Sequence, residues 1–256
     1  MNPEGMPVIR VEDLTVGYGD RVILENVSFE VRRGEGFVVL GTSGCGKTTL
    51  LRSLIGLEPV QAGRIWIGED ELTGADDARR LRILRRFGVM FQNGALFGSL
   101  NLLENVRLPL EEFSTLNREA MDFIARMKLE MVGLKGAEER LPAELSGGMQ
   151  KRAAIARAMV LDPEILFLDE PSAGLDPVTS AGLDRLILDL AEALGITFVV
   201  VTHELASIFA IASRVIMLDR EQRGIIATGT PAALRDAPPN DKVRQFFRRE
   251  AAEVKR

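Results

Sequence analysis

The chain has 256 residues, a net charge of −5 and 46% hydrophobic residues. This length and apolar content suit one large α/β domain with a full core and exclude bulk disorder. The acidic balance argues against a dedicated nucleic-acid binder, and a lone cysteine, Cys45, excludes an internal disulfide or a zinc cluster.

No signal-peptide pattern opens the chain, and apolar runs such as residues 198–201 fall far short of the ~18 residues needed to span a bilayer. The expectation is a soluble intracellular protein. If it works at a membrane, another chain does the spanning.

Residues 1–7 read as a loose terminus. Residues 8–16 and 22–31 alternate apolar and polar positions, which predicts two antiparallel strands. Gly17-Tyr18-Gly19-Asp20 is the turn between them. Tyr18, the only tyrosine, has two readings: turn packing, or stacking on a nucleobase.

Residues 37–40 are an apolar run that leads into Gly41-Thr42-Ser43-Gly44-Cys45-Gly46-Lys47-Thr48, the phosphate-loop pattern, and the spacing predicts a helix over 48–57. Gly41, Gly44 and Gly46 let successive backbone N–H groups turn inward as an anion nest. The helix adds its positive end, where Thr49 also lies. Lys47 would reach the β- and γ-phosphates, and the Thr48 hydroxyl would bind Mg²⁺. Cys45 reads as a small residue filling a tight loop. A redox switch is the weaker alternative, because no resolving thiol is present.

Residues 64–67 predict a short strand with Trp66 as a packing aromatic, 76–86 a charged helix, and 87–91 an apolar run ending at Gln92. From about 94 to 162 no strand pattern occurs. Asn101 and Glu104 form a capping-box pattern, and 117–132 carries Met121, Ile124, Met127 and Met131 at helical spacing, so this stretch reads as an all-helical insertion.

Leu145-Ser146-Gly147-Gly148 opens a helix reaching about 161. Residues 165–168 are an apolar strand ending in Asp169-Glu170, where the sheet would present Asp169 to Mg²⁺ and Glu170 to the attacking water. Helix 177–194, strand 197–201, helix 203–212 and strands 215–218 and 225–228 follow. His203, the only histidine, comes just after a strand, within reach of a γ-phosphate, and Gln92 could touch Mg²⁺ or the water. Thr230 and Pro231 begin a small helix as cap and first residue.

The last segment, 240–256, carries +3, which leaves −8 for the rest, and Val243, Phe246, Phe247, Ala251 and Val254 share one helical face. Two readings stand for it: a helix folded back on its own domain, or docking to a second subunit or to anionic lipid.

These motifs together resemble an ATP-binding cassette (ABC) ATPase over residues 8–235. Tyr18 resembles the A-loop aromatic, Gly41–Thr48 the Walker A motif, Gln92 the Q-loop, Leu145 to Gln150 the family signature and Asp169-Glu170 the Walker B end. Ser172-Ala173-Gly174-Leu175-Asp176 resembles the D-loop and His203 the switch histidine. Met149 departs from the glutamine of most members, past the groups that meet phosphate.

The resemblance implies an α/β P-loop NTPase fold, an ABC-type nucleotide-binding domain with an antiparallel β subdomain and an all-helical subdomain. The expected division is an ATPase domain over 1–237, its helical part near 94–162, and an amphipathic tail over 238–256. It implies ATP and Mg²⁺ as cofactors, with Glu170, His203 and Gln92 catalytic. Thr48, Gln92 and Asp169 would hold the metal. Tyr18, Gly41, Thr42, Ser43, Gly44, Cys45, Gly46, Lys47, Thr48 and Thr49 would bind nucleotide, together with Ser146, Gly147 and Gly148 across a head-to-tail homodimer. A binding module without hydrolysis is disfavoured by the intact Glu170 and His203.

Residues 94–106, unusually apolar for a loop and short helix, are read as a permease-docking surface or as local packing. With Leu108-Pro109-Leu110, Met149 and residues 204–212, this stretch is similar to the ATPases of the Mla phospholipid transporters. That similarity implies integral membrane permease subunits, an MCE-domain lipid-binding protein, no nucleic acid, and a peripheral place on the cytoplasmic face of the bacterial inner membrane. The ATPase of an amino-acid or other small-solute importer shares every catalytic motif. A non-transport ABC protein would be expected to show paired cassettes, coiled-coil insertions or zinc cysteines.

Overall fold

The computed structural model describes residues 7–250. The two alternating runs form β1 (Pro7–Tyr18) and β2 (Arg21–Arg32), an antiparallel pair. Leu14, Val16, Leu24 and Val27 are buried, and the alternation slips at bulges where Asp13 and Asn26 take positive φ. The first glycine-rich turn is reached through β3 (Gly36–Gly41) and left through α1 (Lys47–Leu54). β4 (Ala62–Ile67) pairs with β1, and β5 (Asp70–Glu71) with β4, closing an antiparallel sheet in the order β2-β1-β4-β5. Trp66 packs in this sheet under the Arg10 guanidinium, 4.2 Å from its ring centre.

β3 belongs to a second sheet. After α2 (Asp77–Leu84) comes β6 (Phe87–Met90) on one edge of it. The helical insertion follows as α3 (Leu102–Phe113), α4 (Arg118–Met131), a 3₁₀ turn at Pro142–Glu144 and α5 (Gly147–Ala158). The chain returns through β7 (Ile165–Asp169), α6 (Pro177–Leu194), β8 (Thr197–Val201), α7 (Leu205–Ile211), β9 (Arg214–Asp219) and β10 (Gly224–Gly229), and ends in α8 (Pro231–Asp236) and α9 (Asp241–Arg248). The sheet order is β10-β9-β3-β8-β7-β6, parallel except for β10.

A parallel sheet is covered on both faces, so its strands read as unbroken apolar runs. In β3, Val38 and Leu40 enter the core under α3, α5 and α6, while Phe37 and Val39 enter the core shared with α1 and the antiparallel sheet. This places the carboxyl ends of β3, β7 and β8 side by side, the edge at which such sheets take ligands.

Asn101 Oδ1 accepts the Glu104 N–H at 2.8 Å and Glu104 Oε2 accepts the Asn101 N–H at 2.9 Å, a reciprocal capping box at the start of α3. Two expectations are corrected nearby. In α4 the most deeply buried apolar residues are Ala125 and Leu129; Met121, Ile124 and Met131 are partly buried against the same core, and Met127 is exposed. Small Ala125 lets the helix sit close against α3 and α5. The apolar stretch over 94–106 divides in two: Leu102, Leu103 and Val106 are core residues of α3, while Ala95, Phe97, Gly98 and Ser99 face solvent.

The tail helix α9 folds back on its own domain. Val243 and Phe247 are buried, Phe247 meets Phe209 edge-on at 6.0 Å, and Lys242 Nζ donates to both Asp219 oxygens at 2.8 and 2.9 Å. Ala251 and Val254 of the expected apolar face lie outside the described residues.

Candidate nucleotide site

The loop between β3 and α1 curls because two of its glycines have no room for a side chain. A Cβ on Gly41 would lie 2.6 Å from the Leu218 carbonyl oxygen, and Gly46 has φ +104° with Leu24 2.9 Å from where its Cβ would be. Thr42, Ser43, Gly44 and Thr48 are exposed along the loop, and Cys45 and Thr49 are buried beneath it. Burial pushes the Cys45 thiol up, which favours the space-filling reading of this residue over a reactive one. The Lys47 ammonium is drawn into the curl, donating to the carbonyls of Gly41 at 2.9 Å and Thr42 at 3.3 Å.

Two strands away, Asp169 and Glu170 are buried at the end of β7. The Asp169 Oδ1 atom has no hydrogen-bond partner. Burial and then the neighbouring Glu170 carboxylate push its acid up, with Lys47 pulling the other way. A buried carboxylate oxygen left orphaned beside a second carboxylate fits a cation ligand.

Glu170 takes a left-handed backbone, φ +44°, while its N–H still donates to the Val201 carbonyl at 2.8 Å. Its carboxylate is held at both oxygens: Thr202 Oγ1 donates to Oε2 at 3.2 Å, and His203 Nδ1 lies 2.7 Å from Oε1. The imidazole itself is exposed.

Gln92 sits in the turn after β6, with its side chain exposed and its carbonyl accepting from Lys151 Nζ. Tyr18 ends β1 and is 47% exposed, open for stacking. Ser146 caps α5, its Oγ accepting the Met149 N–H at 3.3 Å, and Ser146 and Gly147 face solvent with that helix end.

The structure therefore brings Glu170 and His203 together and sets the phosphate loop beside Asp169. It makes no bond from the Gln92 side chain to either group. Sequence reasoning did not single out Thr202, Lys151 or Asp184, and gave Ser172 and Ser207 no buried polar role. Thr202 precedes His203 and looks like strand continuation. Lys151 looks like one more cation past the glycines. Ser172, Ser207 and Asp184 form a buried polar group between the loop after β7 and helices α6 and α7, with the two serine hydroxyls 3.2 Å apart.

A phosphate loop with a buried carboxylate pair two strands over suits nucleotide hydrolysis at the carboxyl edge of a parallel sheet. The helical insertion, carrying a second glycine-rich helix start, narrows the class to the P-loop ATPases of the ATP-binding cassette kind. The chain belongs to the ABC transporter family, whose sequence model matches residues 24–173.

Among curated relatives, the intermembrane phospholipid transport system ATP-binding protein MlaF of Escherichia coli is 40% identical over 94% of this chain and 88% of its own. MlaF of Haemophilus influenzae is 38% identical over 89% and 85%. A probable ribonucleotide transport ATP-binding protein of Mycobacterium leprae is 40% identical over 93% of this chain and 68% of its own.

Among solved structures, the dimeric ATP-binding cassette MJ0796 bound to ADP and Pi superposes with a TM-score of 0.78 at 30% identity, covering 87% of this chain and 98% of that one. The cbiO1 subunit from Clostridium perfringens shares the fold, with a TM-score of 0.80 at 24% identity, over 96% and 100%.

Proposed function

We propose that this chain is the ATP-hydrolysing subunit of a membrane transporter that moves phospholipid, working as a head-to-tail homodimer on integral membrane permease subunits. The observation that carries the reading is the 40% identity to a phospholipid transport ATP-binding protein along 94% of the chain, beyond the matched ABC region on both sides. The dimeric state of the solved cassette bound to ADP and Pi supports the pairing. No helix among the described residues is long and apolar enough to cross a membrane, in keeping with a peripheral subunit. The proposed place is the cytoplasmic face of the inner membrane, with an MCE-domain lipid-binding protein as a further partner.

In this reading Tyr18 stacks on the adenine. The loop from Gly41 to Thr49 surrounds the β- and γ-phosphates, and Lys47 leaves the Gly41 and Thr42 carbonyls to pair with them. Thr48, Asp169 and Gln92 would hold Mg²⁺, which would supply positive charge against the phosphates. No group of three His, Cys, Asp or Glu side chains among the described residues could hold a metal ion by itself. Glu170, fixed by Thr202 and His203, orients and polarises the attacking water. Ser146, Gly147 and Gly148 of the partner copy meet the γ-phosphate from the other side, so ATP joins the two chains and hydrolysis releases them.

A second reading has an observation of its own. The mycobacterial relative with the same 40% identity is named for probable ribonucleotide transport. Every residue named above acts on nucleotide, so the site serves either cargo. The two are separated by purifying this chain from its native membrane with its partners and identifying the bound molecules. Co-purified phospholipid and an MCE-domain protein are the expected result. A nucleotide-binding partner with no lipid enrichment overturns the phospholipid reading.

A further inference from the structure

Lys151 is buried, the residue being 7% exposed. Among the described residues no carboxylate bonds it. Its acceptors are two backbone carbonyls, that of Gln92 and, at 3.4 Å, that of Glu170. These lie on turns 59 and 19 residues away in sequence.

An ammonium placed out of water with no hydrogen-bonded anion is costly, a cost offset in part by the nearby Asp169, Glu170 and Glu204 carboxylates, and a methionine would fill the same space without it. What the ammonium adds is a bridge. β6 and β7 are neighbours in the sheet, but their ladder ends at Met90 and Leu168, before the residues that do chemistry. Past that point Lys151 spans the two turns.

A second cation of the same helix continues the hold. Arg157 donates to the Ala95 carbonyl and to the Gly94 carbonyl, both at 2.8 Å. Helix α5 thus grips the backbone of residues 92–95 at three carbonyls, while its own N-terminal end carries Ser146.

We propose that Lys151 is a positioning residue for ATP hydrolysis, setting the Gln92 turn against the β7 end so that Gln92 and Glu170 act on one water and one ion. The proposal rests on the ATPase reading of the site and adds a residue to it. Lys151 touches neither nucleotide nor water in this scheme; it acts through where it holds the Gln92 and Glu170 backbones. Its loss should therefore slow turnover and leave ATP binding at the phosphate loop alone. A misplacement of the order of an ångström costs about 10²-fold in rate, so a fall of roughly 10- to 100-fold in kcat is expected.

The test uses the full chain with ATP and Mg²⁺ and four proteins beside the wild type: Lys151→Met, Lys151→Arg, Gln92→Ala, and the double variant Lys151→Met with Gln92→Ala. The expected pattern has three parts. Lys151→Met loses kcat with KM for ATP within about twofold of wild type. Lys151→Arg, which keeps a charged multiple donor, recovers most of the loss. In the Gln92→Ala background the methionine change costs less than it does in the wild type, because one of the two groups it positions is already gone.

Additive losses in the double variant, a rise in KM with kcat unchanged, or a Tm drop with full turnover per folded molecule would each overturn the proposal. If the methionine variant does not fold, Lys151→Gln takes its place in the same cycle. Absence of hydrolysis by the wild type would count against the ATPase reading instead, so the two failures are distinguishable.

Discussion

His203 Nδ1 lies 2.7 Å from Glu170 Oε1, and the other oxygen of that carboxylate accepts from Thr202 at 3.2 Å. The acid is thus aimed by two successive residues at the end of the neighbouring strand. Its left-handed backbone, at φ +44°, is an unfavourable conformation for a glutamate, and the surrounding ladder holds it there. Glu170→Gln keeps this shape and removes the charge that polarises water. Hydrolysis is expected to fall by roughly 10²- to 10⁴-fold, while ATP binding persists and an ATP-bound dimer accumulates. An ATPase assay run beside size-exclusion chromatography with ATP and Mg²⁺ reads both. Near-normal turnover would mean that another group positions the water.

Lys47→Ala should fail at an earlier step. The ammonium is the cation that the loop presents, now resting on the Gly41 and Thr42 carbonyls. Without it, ATP binding itself weakens and no nucleotide-dependent dimer forms. Equilibrium binding of a fluorescent ATP analogue distinguishes this from the Glu170 variant; equal affinity in wild type and Lys47→Ala would remove Lys47 from the phosphate contacts.

The strands and the phosphate loop were legible because their signals are local. An apolar run buried on two faces, a glycine spacing and a cap such as Asn101 with Glu104 each carry their reason within a few residues. The site was legible where a motif sits at a strand end, as with Asp169 and Glu170. What stayed hidden depends on packing between distant segments. The helical period of Met121, Ile124 and Met131 marks α4 as amphipathic, but its deepest apolar burial falls on Ala125 and Leu129, against α3 and α5. Lys151 looks like a surface cation until the two turns that wrap it are in place, and nothing near Asp184 in sequence shows that α7 will seal it off.

Dividing the apolar stretch after Gln92 sharpens the docking expectation. Phe97 is 53% exposed on a turn, whereas Leu103 and Val106 are core. Phe97→Asp should therefore abolish co-purification with the permease and leave ATP binding by the isolated chain unchanged. Leu103→Asp should instead unfold the helical insertion. Retained permease association by Phe97→Asp would assign docking to another surface.

The tail helix is expected to matter first to its own domain. Phe247 is buried against Phe209, and Val243 is fully enclosed. Phe247→Ala should cost about 3 kcal/mol, the lower end for a buried phenylalanine because a terminal helix can relax. Thermal unfolding of the isolated chain checks this. A loss seen only in the assembled transporter, with the monomer's stability intact, would give the helix to assembly instead.

Asp184 gives a stability prediction whose sign follows from burial. The residue is 4% exposed on α6, and its Oδ1 atom has no partner. Burial pushes its acid up, with Ser207 opposing and the Glu204 carboxylate adding to the rise. The folded protein therefore keeps the proton at pH values where the unfolded chain, near the ordinary aspartate value of about 3.9, has lost it. Between those two values the native state binds more protons, so stability falls as pH rises through the window, and the full contribution is present only below it. Asp184→Asn has nothing to ionise. The variant should gain on the wild type as pH rises from about 4 toward neutrality, with little difference at the acid end. Thermal melts of the two proteins across this range give the test. A difference in Tm that does not change with pH, or a variant less stable at neutral pH, would mean that the Asp184 carboxylate is charged in the folded state and held by a partner.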